Sequence, residues 1–74
     1  MNIIIFGASG GVGKHFTKLA LDNGHSVTAY IRTPSKLEIN HENLTIIQGD
    51  AFDKQAVEAA INGKDAVVSC LGST

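Results

Sequence analysis

Short apolar runs alternate with amphipathic segments along the chain, and this alternation predicts four strands separated by helical stretches and a turn. The first run, Ile3-Ile4-Ile5-Phe6, contains no polar position, which is typical of a strand buried on both faces of a parallel sheet. The predicted strands are Asn2–Phe6, Ser26–Ile31, Leu44–Gln48 and Asp65–Leu71.

The first predicted helix lies between the first two strands. Apolar residues recur there at helical spacing, at positions Val12, Phe16, Leu19 and Ala20. We therefore expect a helix from about Gly11 to Asn23. Gly24 supplies its C-terminal stop, because glycine is favoured directly after a helix end.

Two further helical segments are predicted downstream. Thr33 and Pro34 match an N-cap followed by proline at the first helical position, so a short helix is expected from Pro34 to about Leu37. Residues 38–43 are polar and turn-like. Asp53 can cap a longer helix that ends at Gly63 and carries an apolar face of Ala56, Val57, Ala60 and Ile61.

The element order is therefore β-α-β-turn-β-α-β. Strands that alternate with helical segments imply right-handed crossovers and a parallel sheet with helices on its faces. The sequence thus predicts an α/β fold within a single domain, residues 1–74.

A glycine-rich turn joins the first predicted strand to the first predicted helix, as a dinucleotide-binding fingerprint requires. It reads Gly7-Ala8-Ser9-Gly10-Gly11-Val12-Gly13. Gly7 permits a tight turn out of the strand, and Gly10 removes a Cβ atom where a pyrophosphate would approach the backbone. Gly13 allows the helix to pack closely on the sheet.

Phosphates would lie at the N-terminus of this helix, where N–H groups such as those of Gly11 and Val12 and the helix dipole favour anions. Ser9 can add a hydroxyl donor. A nucleoside triphosphatase loop is excluded, because it needs glycine at position 8 and Ser or Thr at position 15. The chain has Ala8 and His15 there.

The spacing Gly-x-x-Gly-x-x-Gly, within Ile-Phe-Gly-Ala-Ser-Gly-Gly-Val-Gly, resembles the atypical and extended short-chain dehydrogenase/reductase families. It is most similar to their NAD(P)H-binding, NmrA-like and biliverdin-reductase-B-like group, and the resemblance covers nearly the whole chain. It implies the N-terminal half of a Rossmann-type sheet, with strand order 3-2-1-4, that binds a dinucleotide.

The end of the second predicted strand bears on the choice of cofactor. NAD-preferring Rossmann proteins place an acid there for the ribose 2′-hydroxyl, whereas Arg32 follows directly here. The segment Ile31–Leu37 matches the Val-Arg-x-Pro-x-Lys-Leu of the resembled group. That resemblance implies that Arg32 binds a 2′-phosphate, helped by Thr33 or Lys36, so NADP(H) is expected in preference to NAD(H). The alternative is that Arg32 is only a surface charge.

The ends of the third and fourth strands carry the remaining candidate residues. The resemblance implies that Asp50 lies against the adenine amino group, with the backbone of Ala51 beside it. Asp50 could instead be a turn residue leading into the next helix. Leu71 and Gly72 are the candidates for passing beneath the adenine ribose.

Composition narrows the partners. The chain is 43% hydrophobic and 18% charged with a net charge of −1, which gives no electrostatic reason to expect nucleic acid or an anionic membrane as a partner. The longest apolar run is far too short to span a membrane, and no signal peptide is recognisable. Cys70 is the only cysteine, which fits the cytoplasm and is expected to be a buried apolar residue. The histidines lack the partners of a metal site.

The residues that carry catalysis in typical short-chain reductases are missing. Their Tyr-x-x-x-Lys pair has no counterpart, because Tyr30 is the only tyrosine and position 34 is proline. Three functions stay open for the parent protein: an NAD(P)H-dependent oxidoreductase, a non-catalytic NADP(H) sensor, or an NAD(P)-dependent epimerase or dehydratase.

The length of the chain limits what it can do alone. With 74 residues it is short for a complete α/β enzyme, so we expect a truncated cofactor-binding half without turnover of its own. An open edge on the fourth strand would favour association, for example as a homodimer.

Overall fold

The computed structural model describes residues 1–8 and 10–70, and in these ranges the chain forms a parallel sheet with a helix on each face. The strands are β1 (Asn2–Phe6), β2 (Ser26–Ile31), β3 (Leu44–Gln48) and β4 (Ala66–Ser69). The helices are α1 (Gly11–Asp22) and α2 (Lys54–Ile61), and a 3₁₀ turn covers Pro34–Lys36. The sheet order is β3-β2-β1-β4, which confirms the predicted fold class and strand order.

Strand β1 lies at the centre and divides the core into two layers. Its side chains alternate, so Ile3 and Ile5 pack on the side of α1, whereas Ile4 and Phe6 pack on the side of α2. All of these side chains are buried, as the unbroken apolar run predicts. Strand β1 pairs in parallel with both β2 and β4, for example through Ile4 opposite Thr28 and Val67.

Helix α1 packs on the sheet through a face narrower than the sequence indicates. The buried positions are Gly13, Thr17, Ala20 and Leu21. Of the apolar residues at helical spacing, Ala20 is buried, whereas Val12, Phe16 and Leu19 are exposed. The reason is the close approach at Gly13, which turns the small residues toward the sheet.

A buried side-chain hydrogen bond within α1 and the C-terminal end of this helix both follow from its sequence. The Thr17 hydroxyl donates a hydrogen bond to the Gly13 carbonyl (2.7 Å), so this fully buried polar group is satisfied within the helix. At the C-terminus Gly24 has a φ of 83°, and the His25 N–H reaches back to the Ala20 carbonyl (3.1 Å). This Schellman motif ends the helix at the predicted glycine.

Helix α2 is capped as predicted. The Asp53 carboxylate accepts the Ala56 N–H at 3.3 Å, and Gly63, with a φ of 82°, follows the helix end. Ala60 is buried against the sheet. The other apolar residues of the predicted face, which pack half-buried around it, are Ala56, Val57 and Ile61.

Three features differ from the prediction. The last strand begins at Ala66 rather than Asp65, whose carboxylate accepts the Asn2 N–H (2.8 Å), and it ends at Ser69, whereas the predicted end Leu71 lies outside the described residues. Cys70 follows the strand and is half-buried rather than buried. The segment after β2 is a 3₁₀ turn that stops at Lys36, and the Thr33 side chain makes no capping hydrogen bond there.

Two features are absent from residues 1–8 and 10–70. In these ranges no helix is both long and apolar enough to cross a membrane. Nor does any group of three His, Cys, Asp or Glu side chains come together there in the way that a metal ion would require.

Candidate functional site

A cleft of about 340 Å³ lies at the carboxyl ends of β1, β2 and β3, where the segments that follow these strands meet. This edge is where ligands bind in open α/β sheets. The cleft is lined by Gly7, Tyr30, Ile31, Arg32, Thr33, Lys36, Gly49, Ala51 and Phe52.

The glycine turn forms one side of this cleft and leads into α1. Gly7 has a φ of 75°, a conformation that favours glycine, and its carbonyl accepts the Gly10 N–H at 3.3 Å. Gly10 is the N-cap of α1, and its carbonyl accepts the Lys14 N–H at 2.7 Å. The N–H groups of the first helical turn have no acceptor within the helix, so they can serve an anion.

The glycines of this turn differ in what surrounds them. A Cβ atom on Gly13 would lie 2.4 Å from the Gly7 carbonyl oxygen and 2.9 Å from the Ala8 Cα atom, so glycine is required for packing there. A Cβ on Gly10 would only touch the Gly7 carbonyl at 3.7 Å, and one on Gly11 would meet nothing within 4 Å. The space beside Gly10 and Gly11 therefore fits a pyrophosphate group approaching the start of α1.

The opposite side of the cleft is positively charged. Arg32 follows β2 directly, and Thr33 and Lys36 lie in the 3₁₀ turn and its cap. All three line the cleft, and Arg32 is the only arginine of the chain. A guanidinium and an ammonium group facing one cavity suit a phosphate.

The turn after β3 closes the cleft. The Asp50 carboxylate accepts the Phe52 N–H at 2.9 Å, and the Asp50 carbonyl accepts the Asp53 N–H at 3.0 Å. The Asp50 carboxylate also lies 3.7 Å from the Arg32 guanidinium. In this structure Asp50 therefore acts as the turn residue that leads into α2, and its charge faces the cleft arginine.

The side chain of Tyr30, on β2, contacts the turn after β3. Its hydroxyl donates a hydrogen bond to the Asp50 carbonyl at 3.0 Å, and its ring contacts that of Phe6 with centroids 5.1 Å apart. Burial raises the pKa of the Tyr30 hydroxyl above its ordinary value of 10.0, and the negative charges of Asp53 and Asp50 add to this shift. Tyr30 is therefore a neutral hydrogen-bond donor at physiological pH.

The turn needs Gly49 because of the same ring. A Cβ atom on Gly49 would lie 2.4 Å from the Tyr30 hydroxyl oxygen and 2.6 Å from Cζ. The Gly49 N–H also continues the sheet by donating to the Ile31 carbonyl at 2.9 Å. The Tyr30 ring and the missing side chain at Gly49 thus determine how closely the turn after β3 packs against the sheet.

The structure brings several predicted site residues into one cleft. Gly7, Arg32, Thr33, Lys36 and Ala51 line it, and Asp50 borders it through its contact with Arg32. The remaining glycine-turn candidates, at the adjoining start of α1, are Gly10, Gly11, Val12 and Gly13. The candidates outside the described residues are Ser9, Leu71 and Gly72.

Four lining residues were not among the predicted site residues: Tyr30, Ile31, Gly49 and Phe52. Tyr30 and Gly49 are far apart in the chain and acquire a joint role only through the β2–β3 pairing. Phe52 is 89% exposed at the cleft mouth, and only its place next to the Gly-Asp-Ala segment could have indicated it.

A second depression, of about 420 Å³, lies between β3 and α2. Its lining is mainly apolar, with Gln48 and Asp53 as the chief polar side chains, and it includes no lysine or arginine. This surface does not suit a phosphate, so the cleft at the carboxyl ends of the strands is the better dinucleotide site.

Comparison with known proteins agrees with this geometry. Residues 7–74 match the model of a family described as NAD(P)H-binding. An uncharacterised Bacillus subtilis protein, YwnB, is 38% identical over 73 residues, covering 99% of this chain and 32% of that protein. A 3β-hydroxysteroid dehydrogenase/Δ5→4-isomerase of Mycobacterium tuberculosis is 35% identical over 65 residues, which are 88% of this chain and 17% of that protein.

Solved structures share the fold. A protein from Bacteroides thetaiotaomicron described as an epimerase superposes with a TM-score of 0.90 and 37% identity, over 96% of this chain and 33% of that one. The Bordetella bronchiseptica enzyme WbmH, solved in complex with NAD⁺, superposes with a TM-score of 0.86 and 29% identity, over 99% of this chain and 26% of that one.

The chain thus spans about a third or less of the length of these relatives, and the matching part carries the glycine turn and the cleft. Three observations agree: the glycine turn, the strand order and the family match. The chain belongs to the NAD(P)H-binding family, within the Rossmann-type superfamily that includes short-chain reductases and epimerases.

Proposed function

We propose that the chain is the cofactor-binding half of an oxidoreductase that uses NADP(H) in preference to NAD(H). The observation that carries this proposal is the position of Arg32, directly after β2 and on the cleft, with Thr33 and Lys36 beside it. In this proposal the guanidinium clamps the 2′-phosphate in two-point fashion, and Thr33 and Lys36 contribute further donors.

The rest of the cofactor would extend from Arg32 toward the glycine turn. The pyrophosphate would lie at the start of α1, against Gly10 and Gly11, where the helix dipole and unused N–H groups favour it. The adenine would lie beside Asp50 and Ala51. Phe52 extends this wall of the cleft with an exposed ring.

The division of labour follows from what the cofactor supplies. The bound nicotinamide provides the hydride chemistry, and the protein binds and orients it. The described part of the chain holds the adenine half of such a site. We therefore expect no sustained NADPH oxidation by the 74-residue chain alone, and a rate above the protein-free rate would contradict this.

An oxidoreductase is favoured by the steroid dehydrogenase of M. tuberculosis and by an isoflavone reductase homolog of Zea mays, which is 29% identical over 80 residues. The second candidate is an epimerase or dehydratase that retains NAD⁺. It is favoured by the Bacteroides epimerase and by WbmH with its bound NAD⁺. The two candidates differ in cofactor preference, which can be measured on this chain.

The proposed experiment is calorimetric titration of the 74-residue protein with NADPH and NADH. We expect tighter binding of NADPH, and Arg32→Asp should weaken NADPH binding about 10–100-fold, since hydrogen bonds between charged groups contribute roughly 1.5–3 kcal/mol. NADH binding should change far less. Equal dissociation constants for NADPH in the variant and the parent would contradict the assignment of Arg32 to the 2′-phosphate.

Lys64→Asp provides a matched control. It makes the same change of charge, but Lys64 precedes β4 and therefore lies at the amino ends of the strands, opposite the cleft. We expect its NADPH affinity to stay within about twofold of the parent's, because exposed charges beyond about 10 Å are largely screened at ordinary ionic strength.

Two further parts of the proposal concern surroundings and assembly. Within the described residues β4 pairs only with β1, so this edge could pair with a second copy as a homodimer. A cytoplasmic location remains a prediction from the sequence.

A further inference from the structure

The carboxylate of Asp50 lies beside Arg32, the residue that the proposed function assigns to the 2′-phosphate. Its Oδ1 atom is 3.7 Å from the Arg32 guanidinium, and both side chains are largely exposed, at 54% and 73%. NAD-preferring proteins place an acid at the end of the second strand. Here Arg32 follows the second strand instead, and the acid beside it, Asp50, comes from the end of the third strand.

The position of this carboxylate is determined by the turn rather than by Arg32. The same Oδ1 atom accepts the Phe52 N–H at 2.9 Å. The Asp50 backbone carbonyl accepts both the Tyr30 hydroxyl at 3.0 Å and the Asp53 N–H at 3.0 Å. Asp50 thus stays in place when Arg32 moves, so its negative charge remains beside any anion that Arg32 binds.

We propose that Asp50 is a specificity-determining residue that moderates the preference for the 2′-phosphate by acting as an internal counter-ion of Arg32. This inference rests on the proposed function of Arg32. A 2′-phosphate must displace the Asp50 carboxylate from the guanidinium or share the guanidinium with it, and either arrangement costs binding energy. NADH carries no 2′-phosphate and leaves the Arg32–Asp50 pair intact.

The size of the effect follows from the exposure of the pair. Exposed ion pairs contribute little, and salt screens them, so the competition is modest rather than decisive. We expect removal of the Asp50 charge to raise the ratio of NADPH affinity to NADH affinity about two- to fivefold at low salt. The gain should shrink as ionic strength rises.

The test is Asp50→Asn, measured by calorimetry with NADPH and NADH. The amide oxygen can still accept the Phe52 N–H, and the bond from Tyr30 goes to the backbone, so the turn is preserved. Both cofactors carry the same adenine, so any loss of an adenine contact cancels in the ratio of the two affinities.

A double-mutant cycle assigns the effect to the pair. In an Arg32→Gln background, Asp50→Asn should raise the affinity ratio by clearly less than it does in the parent, because only the direct repulsion between the carboxylate and the 2′-phosphate then remains. Asp22→Asn is the matched control, since it removes an exposed carboxylate from the C-terminal end of α1, away from the cleft. It should leave the ratio unchanged.

The outcomes separate the two proposals. An Asp50→Asn ratio equal to the parent's, in a parent that prefers NADPH, overturns the role of Asp50 and leaves the proposed function standing. A gain of the same size in the Arg32→Gln background also overturns it. A parent that prefers NADH, with a ratio that still rises on Asp50→Asn, supports the role of Asp50 and overturns the proposed preference. Binding of neither cofactor overturns both.

Discussion

The glycine turn after β1 and the turn after β3 both border the cleft, but they hold their shapes by different means. In the first, backbone meets backbone: Gly13 of α1 lies directly against the Gly7 carbonyl. The second turn is held by side-chain contacts. Asp50 and Tyr30 provide the hydrogen bonds, and Gly49 leaves room for the Tyr30 ring.

This difference bears on how each turn tolerates change. Contacts between main-chain atoms of a strand end and a helix cannot relax without moving the elements themselves. A side chain can shift or change its rotamer at a smaller energetic cost. We therefore expect the first turn to be the more sensitive to substitution, and the second to be the more adjustable in evolution and in binding.

The strongest test of the comparison is Gly13→Ala. Its Cβ atom would lie 2.4 Å from the Gly7 carbonyl oxygen and 2.9 Å from the Ala8 Cα atom, so α1 must move away from the sheet. We expect a loss of about 3 kcal/mol or more in the free energy of unfolding, at the upper end of overpacking effects. Urea denaturation followed by circular dichroism measures it.

That loss is large for a chain of 74 residues, whose total stability should be roughly 4–11 kcal/mol. The matched control is Gly11→Ala in the same helix, where a Cβ atom meets nothing within 4 Å. Its stability should stay the same or rise by less than about 1 kcal/mol, because alanine favours helix more than glycine does. Equal losses in the two variants would show that the close contact at Gly13 is unimportant.

The second test is Gly49→Ala in the other turn. Here the added Cβ atom meets the end of the Tyr30 ring at 2.4 Å rather than backbone, so the ring can yield. We expect a smaller loss of about 1–2 kcal/mol in the free energy of unfolding. Thermal or urea unfolding of the single variant checks the magnitude.

A second background checks the cause. Tyr30→Leu removes the ring atoms that the new Cβ would strike, so Gly49→Ala should cost almost nothing when added to it. If Gly49→Ala costs the same in both backgrounds, the Tyr30 ring is not the reason for the glycine.

The contrast between the turns also explains what the sequence could and could not predict. The glycine turn and the capped helix α2 depend on local signals such as the Gly7–Gly13 spacing and Asp53, whereas the strand order was implied by the family resemblance that the glycine spacing carries. The exposed positions of Val12 and Phe16 could not be foreseen, because the close approach at Gly13 selects the buried face of α1.

The site shows the same limit. Arg32 and Lys36 were predicted from their place after β2, where a short motif carries the signal. The contact of Tyr30 with Gly49 and Asp50 joins residues from different strands, and only the β2–β3 register brings them together. The ion pair between Arg32 and Asp50 arises in the same way.

The smallest expected effect concerns Tyr30 itself and separates its hydrogen bond from its bulk. Tyr30→Phe keeps the ring against Phe6 but removes the hydroxyl that donates to the Asp50 carbonyl. At neutral pH we expect a loss of about 1 kcal/mol in the free energy of unfolding, the usual contribution of one intramolecular hydrogen bond. Urea denaturation at pH 7 provides this number.

The alkaline range then distinguishes the two roles. Because the pKa of Tyr30 is raised in the folded state by burial and by Asp53 and Asp50, the unfolded chain loses its phenol proton first as the pH rises past 10.0. The parent should therefore lose stability from about pH 10 up to the folded pKa. Tyr30→Phe should lack this contribution, so the stability difference between the two proteins should narrow. Tyr30 is the only tyrosine, so phenolate absorbance reports its titration directly. A constant difference across this range would mean that the hydroxyl is as well solvated in the folded protein as in the unfolded chain, and that the turn after β3 does not enclose it.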